Sequence, residues 1–206
     1  TDAVFTNLFK KTNGEYRTLG DVLSYAKNTS NASTGNSRKF GLLGDPSQTL
    51  AHPQYNVLTT KVNGLPISNA DTIRALQQVT IEGYIAGADS SEISSFNGII
   101  YPTIYDKRQV RQTLGHDGAA PRAYKIQKTI LFKGRASVTN GRFSFSFIVP
   151  KDIDYAFGEG KISYYADDGS SLDAAGYHNG IVIGGNNENA VEDDNPPTVQ
   201  VYMNND

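Results

Sequence analysis

The 206-residue sequence has no Cys and no Trp, a single Met and three His. Without Cys these residues can form no thiol nucleophile, disulfide framework or thiolate-ligated zinc site. No stretch approaches the roughly 18 apolar residues of a membrane-spanning helix. The first residues, Thr1 to Lys11, lack the basic-then-apolar layout of a secretory leader, so the sequence reads as a piece excised from a longer chain. Strong charge of one sign is also missing, with a formal net charge of −2 from 19 basic and 21 acidic residues. Residues 1–50 hold six basic and four acidic side chains, so the remainder is the more acidic part. The basic residues neither line one helical face nor interleave with aromatics, and this excludes the electrostatic footprint of a nucleic-acid binder.

What is present begins as helix, helix, strand. Asp2 can cap a short helix whose Phe5, Leu8 and Phe9 share a face, and Thr12-Asn13-Gly14 breaks it. Thr18, with Asp21 three residues on, resembles a capping box. Leu19, Val22, Leu23 and Ala26 then fall at i, i+3, i+4 and i+7, the apolar stripe of an amphipathic helix. The polar stretch Asn28 to Ser37 reads as a loop. Phe40-Gly41-Leu42-Leu43 reads as a short buried parallel strand. Two helices and one strand cannot bury their own apolar faces, so residues 1–52 are expected to be the C-terminal edge of an α/β domain.

From Pro53 the pattern changes to short strands separated by turn residues. Val79, Ile81 and Ile85 alternate with polar positions, and Ile99, Tyr101 and Tyr105 alternate in the next run. Asn140-Gly141 is a strong signal for a two-residue type I′ hairpin. In that register Val138 faces Phe143, Ala136 faces Phe145 and Gly134 faces Phe147, with Thr139, Arg142, Ser137, Ser144, Arg135 and Ser146 on the wet face. Further strands are expected at residues 161–166, 180–183 and 198–203. The fold class is therefore mainly β: an Ig-like antiparallel β-sandwich over residues 53–195, preceded by the short α/β segment. Asp193-Asp194-Asn195-Pro196-Pro197 reads as a linker, so residues 196–206 are expected to begin a further, truncated segment.

Candidate chemistry is sparse. His52, His116 and His178 are far apart in sequence, and none has a second ligand at metal-binding spacing. His116 in Gly115-His116-Asp117-Gly118 is accounted for by a polar turn. Asp167, Asp168 and Asp173 around Gly169 form an oxygen-rich run that can be read as a calcium site or as a solvated turn; the spacing does not match an EF-hand loop. No Gly-x-Ser-x-Gly element or phosphate-cradling loop occurs. Twelve Tyr offer stacking platforms for sugars or simply fill half-buried strand positions. Two N-glycosylation patterns, Asn28-Thr29-Ser30 and Asn31-Ala32-Ser33, carry no weight outside a eukaryotic secretory context.

Longer motifs add a resemblance. Thr18-Leu19-Gly20-Asp21-Val22-Leu23 with Ala26-Lys27-Asn28, then Arg38-Lys39-Phe40-Gly41-Leu42-Leu43-Gly44-Asp45-Pro46, resembles the final helix and strand of gingipain-like cysteine peptidase domains. Phe96-Asn97-Gly98, the run Tyr101 to Lys107, the run Phe132 to Phe147 and Val149 to Ile153 resemble the region after the peptidase in the type IX secretion sortase branch of that family, and so do the runs Gly160 to Ala166 and Pro197 to Asn204. The resemblance implies a surface protein of Gram-negative bacteria whose Cys-His peptidase removes a C-terminal sorting domain from exported cargo. It also implies partners: the peptidase domain upstream, cargo proteins and other secretion components. The family's Cys and His match nothing here, so no catalytic residue is assigned and the chain alone is expected to be inactive. No cofactor is implied. The alternatives from the residues themselves are a carbohydrate- or lipopolysaccharide-binding sandwich and a purely structural module.

Overall fold

The computed structural model describes residues 2–29 and 39–190, which fall into two compact units divided between His52 and Pro53. Most of the expected 28–37 loop, the 193–197 linker, the 198–203 strand and the 196–206 segment lie outside the described residues.

In the first unit, α1 (Asp2–Leu8) leads into a two-residue hairpin of β1 (Lys11–Thr12) and β2 (Glu15–Tyr16), then α2 (Leu19–Thr29). Asn13 and Gly14 form its turn with φ of 54° and 87°, the left-handed pair of a type I′ turn. The expected cap at α2 is present: the Asp21 amide donates to Thr18 Oγ1 at 3.2 Å. Val22 and Ala26 are buried, as the stripe predicts. Two expectations fail. Phe5 and Phe9 are 59% and 64% exposed, while Asn7 is buried and donates from Nδ2 to the Ala3 carbonyl at 2.7 Å. Within this unit a two-turn helix buries only one narrow side, and that side is centred on Asn7. Phe40-Gly41-Leu42-Leu43 forms no strand, with Phe40 70% and Leu43 100% exposed. A parallel strand is buried by sheet neighbours, and among the described residues of the first unit only the β1–β2 ladder is on offer. The chain after it instead folds back on α2, where the Leu19 and Gly20 amides donate to the Gln48 and Pro46 carbonyls at 2.8 and 2.9 Å. These bonds satisfy amides that the first helical turn leaves without partners.

The second unit is β throughout. It comprises β3 (Tyr55–Val62), β4 (Leu65–Pro66), β5 (Ile73–Ala75), β6 (Gln78–Ala86), β7 (Gly98–Tyr105), β8 (Gln109–Gln112), β9 (Ala123–Ile126), β10 (Ile130–Lys133), β11 (Ala136–Thr139), β12 (Arg142–Ile148), β13 (Gly158–Asp167) and β14 (Asp173–Asn186). Among the described residues, strands β8 and β9 pair only with each other. The remaining ten make one sheet in the order β4-β3-β6-β12-β11-β7-β13-β14-β5, with β10 beside β7 and an extra pairing of β3 with β14. That extra pairing closes a ring of β3, β6, β12, β11, β7, β13 and β14. Strand direction cannot alternate all the way round a ring of seven, so at least one seam must be parallel. The seam is β14–β3, where Ala174 pairs with Tyr55 and Ala175 with Asn56; β14 also runs parallel to β5. The result is a sandwich-like β fold around a core that includes Ile81, Ile85, Phe96, Ile100, Ile104 and Ile162.

The Asn140-Gly141 hairpin forms with the expected turn (φ 50° and 77°) and with Val138 opposite Phe143 and Thr139 opposite Arg142. Phe143, Phe145 and Phe147 face the core while Ser144 and Ser146 face water. Past Val138 the expected register is not realised. The pairing of β11 with β12 ends there, while on their outer edges β11 stays paired with β7, Ala136 opposite Ile100, and β12 with β6 as far as Ile148. Gly134 is covered by Phe132, whose Cζ would lie 2.5 Å from a Cβ at that position. Phe132 in turn stacks on Phe147 with centroids 4.8 Å apart. In β7 the inward set is Ile100, Pro102 and Ile104, leaving Ile99 and Tyr101 outside. Both phases of that strand are apolar enough to face inward. Burying the aliphatic set leaves the Tyr101 hydroxyl in water, where it costs no desolvation.

Candidate functional site

The three aspartates singled out as calcium candidates surround the turn between β13 and β14. Asp167 and Asp173 are register partners across that turn, with Asp168 inside it. Asp168 Oδ1 accepts the Ser170 and Leu172 amides, both at 2.9 Å, and Oδ2 accepts the Ser170 hydroxyl at 2.9 Å. These bonds hold its carboxyl below the usual carboxylate range, the Ser170 amide contributing most. One oxygen of Asp167 accepts the Gly169 amide, and one of Asp173 accepts the Gln54 amide. Among the described residues no three His, Cys, Asp or Glu side chains are grouped to hold a metal ion.

The histidines stand apart. His52 stacks on Tyr16 at 3.5 Å in the first unit, with its Nε2 buried and without a partner. His116 occupies an exposed turn closed by the Ala119 amide donating to its carbonyl at 3.1 Å. His178 lies opposite Ile162 in the β13–β14 ladder, where loss of hydration lowers its pKa.

Two features escape a reading of the sequence. One is a cleft of about 360 Å³ lined by Asp106, Lys107, Arg108, Gln109, Lys125, Asp154, Ala156, Phe157, Gly158 and Glu159. Three cations and three anions share it. Lys107 Nζ donates to Asp106 Oδ1 at 2.8 Å and to the Asp154 carbonyl at 2.6 Å, with the two side chains only 10% and 5% exposed. Two of its three N–H donors are engaged locally, so the lysine acts as a clamp between the end of β7 and the 154–157 loop. Adjacent residues of opposite charge carry no sequence signal, because such pairs are mostly solvated.

The other feature is the outer face of β7, β13 and β14. Alternation in each strand and the shared register put Ile99, Tyr101 and Tyr105 of β7, Lys161, Ser163, Tyr165 and Asp167 of β13, and Asp173, Ala175, Tyr177 and Asn179 of β14 on one surface. Tyr101 and Tyr165 stand directly opposite, stacked with centroids 6.3 Å apart, and Lys161 Nζ sits 4.6 Å from the Tyr105 ring centre. Tyr177 is 71% exposed. Elsewhere Tyr84, Tyr155 and Tyr164 spend their hydroxyls on bonds within the chain. The hydroxyls of Tyr101, Tyr165 and Tyr177 have no such partner among the described residues. The abundance of Tyr is visible in the sequence; their gathering on one face depends on pairings between distant strands.

No family model matches the sequence, and no curated protein does. Among solved structures, "dimeric latent PorU" from Porphyromonas gingivalis is 28% identical over 93% of this chain, with a TM-score of 0.60. The chain carries a PorU-like region. The resemblance to the type IX sortase branch of the gingipain-like peptidases, carried by the motifs of both units, is thereby met by a solved structure. This chain spans 18% of the PorU chain it matches. The sporulation control protein Spo0M from Bacillus subtilis is 15% identical, covering 65% of this chain and 51% of its own, with a TM-score of 0.37. A conjugative transposon lipoprotein from Bacteroides eggerthii is 11% identical, covering 61% of this chain and 95% of its own, with a TM-score of 0.31. Among the described residues no helix is long and apolar enough to cross a membrane.

Proposed function

We propose that this chain is a non-catalytic part of a PorU-like cysteine peptidase at the surface of a Gram-negative bacterium. In this reading the parent protein removes the C-terminal sorting domain of type IX secretion cargo. Residues 53–195 buttress its peptidase domain and contact cargo or other secretion components. The observation that carries the reading is the 28% identity to PorU over 93% of the chain. The residues agree with it chemically. A cysteine peptidase needs a thiolate beside an imidazole, and these residues, with no Cys, do not supply the nucleophile. What such a chain can contribute is shape: a rigid β unit with a phenylalanine-packed core and a broad tyrosine face.

The test uses the intact parent protein. Residues 53–195 are replaced by a flexible linker, and removal of the sorting domain from cargo is followed by immunoblotting. Loss of processing, with the remaining protein still exported, is the expected result. Normal processing overturns the proposal.

A further inference from the structure

We propose that Tyr165, Tyr177, Asp167 and Asp173 form a surface notch that receives an arginine side chain of a partner protein. This goes beyond a scaffolding role, since it names a contact and its chemistry. The notch follows from register. On β14 the residue opposite Tyr165 is Ala175, the smallest side chain of the outer rows, flanked two positions away by Asp173 on one side and Tyr177 on the other. Asp167 lies two positions beyond Tyr165 on the same strand face and is the register partner of Asp173. Side chains directly opposite in a ladder have Cβ atoms about 5 Å apart and diagonal ones about 7–8 Å. Ala175 is therefore a floor, with two phenol rings and two carboxylates as walls.

Charge complementarity selects the occupant. Asp167 and Asp173 each use one oxygen to accept a backbone amide, from Gly169 and Gln54, both at 3.1 Å. The other oxygen of each has no partner among the described residues, and neither residue takes part in an ion pair there. Two carboxylates beside two ring faces suit a flat cation that stacks on one group while its N–H fork reaches the other, which is the geometry of a guanidinium rather than of an ammonium. The same face already shows half of this chemistry in cis, since Lys161 lies over the ring of Tyr105. Tyr165 itself registers the local field: after burial, the carboxylates Asp173 and Asp167 are the main causes that raise its pKa.

The test titrates the 206-residue chain with N-acetyl-arginine amide and with its neutral isostere, N-acetyl-citrulline amide, following ring and amide signals by NMR. Saturable shifts of Tyr165, Ala175 and Tyr177 are expected with arginine, several-fold weaker with citrulline, and fading as sodium chloride is raised. Tyr177→Leu, which touches no turn, and the pair Asp167→Asn with Asp173→Asn should each weaken arginine binding by about threefold. A circular-dichroism melt of every variant checks folding, and Tyr177→Leu keeps the test decisive if the Asp variants unfold. Equal shifts with citrulline, no saturable shift with arginine, or unchanged affinity in Tyr177→Leu overturns the proposal. So does an oligosaccharide such as maltotriose shifting these signals where arginine does not.

Discussion

Gly83 sits where β6 passes between β3 and β12, opposite both Thr59 and Phe143. A Cβ there would lie 2.2 Å from the Leu58 carbonyl oxygen and 2.5 Å from Phe143 Cζ. The first contact is with backbone inside a paired ladder, which cannot yield without opening hydrogen bonds. Gly134 makes a different case, since its nearest neighbour is the tip of the Phe132 ring at 2.5 Å. A ring can tilt, at the cost of its stack on Phe147. Gly83→Ala should therefore destabilise the fold by about 1–3 kcal/mol, the range for overpacked cores, and Gly134→Ala by less. Urea unfolding of the two variants checks the order, and equal loss would show that the Phe132 stack is as rigid as the ladder. Residue-scale chemistry was partly legible in the sequence. The Thr18 cap is local and could be read, because its partner is three residues away. The clamp of Lys107 on the Asp154 carbonyl could not, because 47 residues separate its ends.

At the scale of elements, β12 shows how far pattern reading reaches. Its alternation of Phe with Ser assigns the buried face, and the Asn140-Gly141 turn sets the first pairs of the register. Beyond Val138 the pairing of β11 with β12 stops, while the ladder on the other edge of β11 continues along β7 to Ala136 opposite Ile100. No local signal specifies where such a pairing ends. Phe145 is not met by the small partner that the sequence places opposite it; a ring from another element, Phe132 of β10, stacks on it with centroids 5.8 Å apart. The Asn13-Gly14 step carries the same turn signal as Asn140-Gly141, yet its arms are two residues long and lack alternation, so it reads only as a break. The face assignment makes a prediction of its own. Phe145→Ala removes a buried ring and should cost about 3–5 kcal/mol, whereas Ser144→Ala on the wet face should stay within about 0.5 kcal/mol. Denaturant midpoints at constant slope measure both, and a comparable loss from Ser144→Ala would mean that the outer face of β12 is covered in solution.

For the whole molecule, one half-buried imidazole and a set of hydrogen-bonded carboxylates together give stability a pH dependence. His178 shares its ladder rung with Ile162, which is fully buried, and loss of hydration lowers its pKa below the ordinary value of about 6.5. The unfolded chain then binds the proton more readily than the folded one. Stability is complete above about pH 6.5 and declines as pH falls below that value, until the folded-state pKa is passed. A second decline sets in under more acidic conditions. Asp71, Asp89 and Asp168 accept hydrogen bonds from Thr72, Ser91 and Ser170, which hold their pKa values below the ordinary one. Their stabilisation is present above about pH 4 and disappears as they are protonated. Melting temperatures measured from pH 8 to pH 3 should thus fall in two stages, and His178→Gln should flatten the first while leaving the second. A single acidic fall in the native chain, or an unchanged first stage in His178→Gln, would mean that water reaches the imidazole and that this rung of the β13–β14 ladder opens in solution.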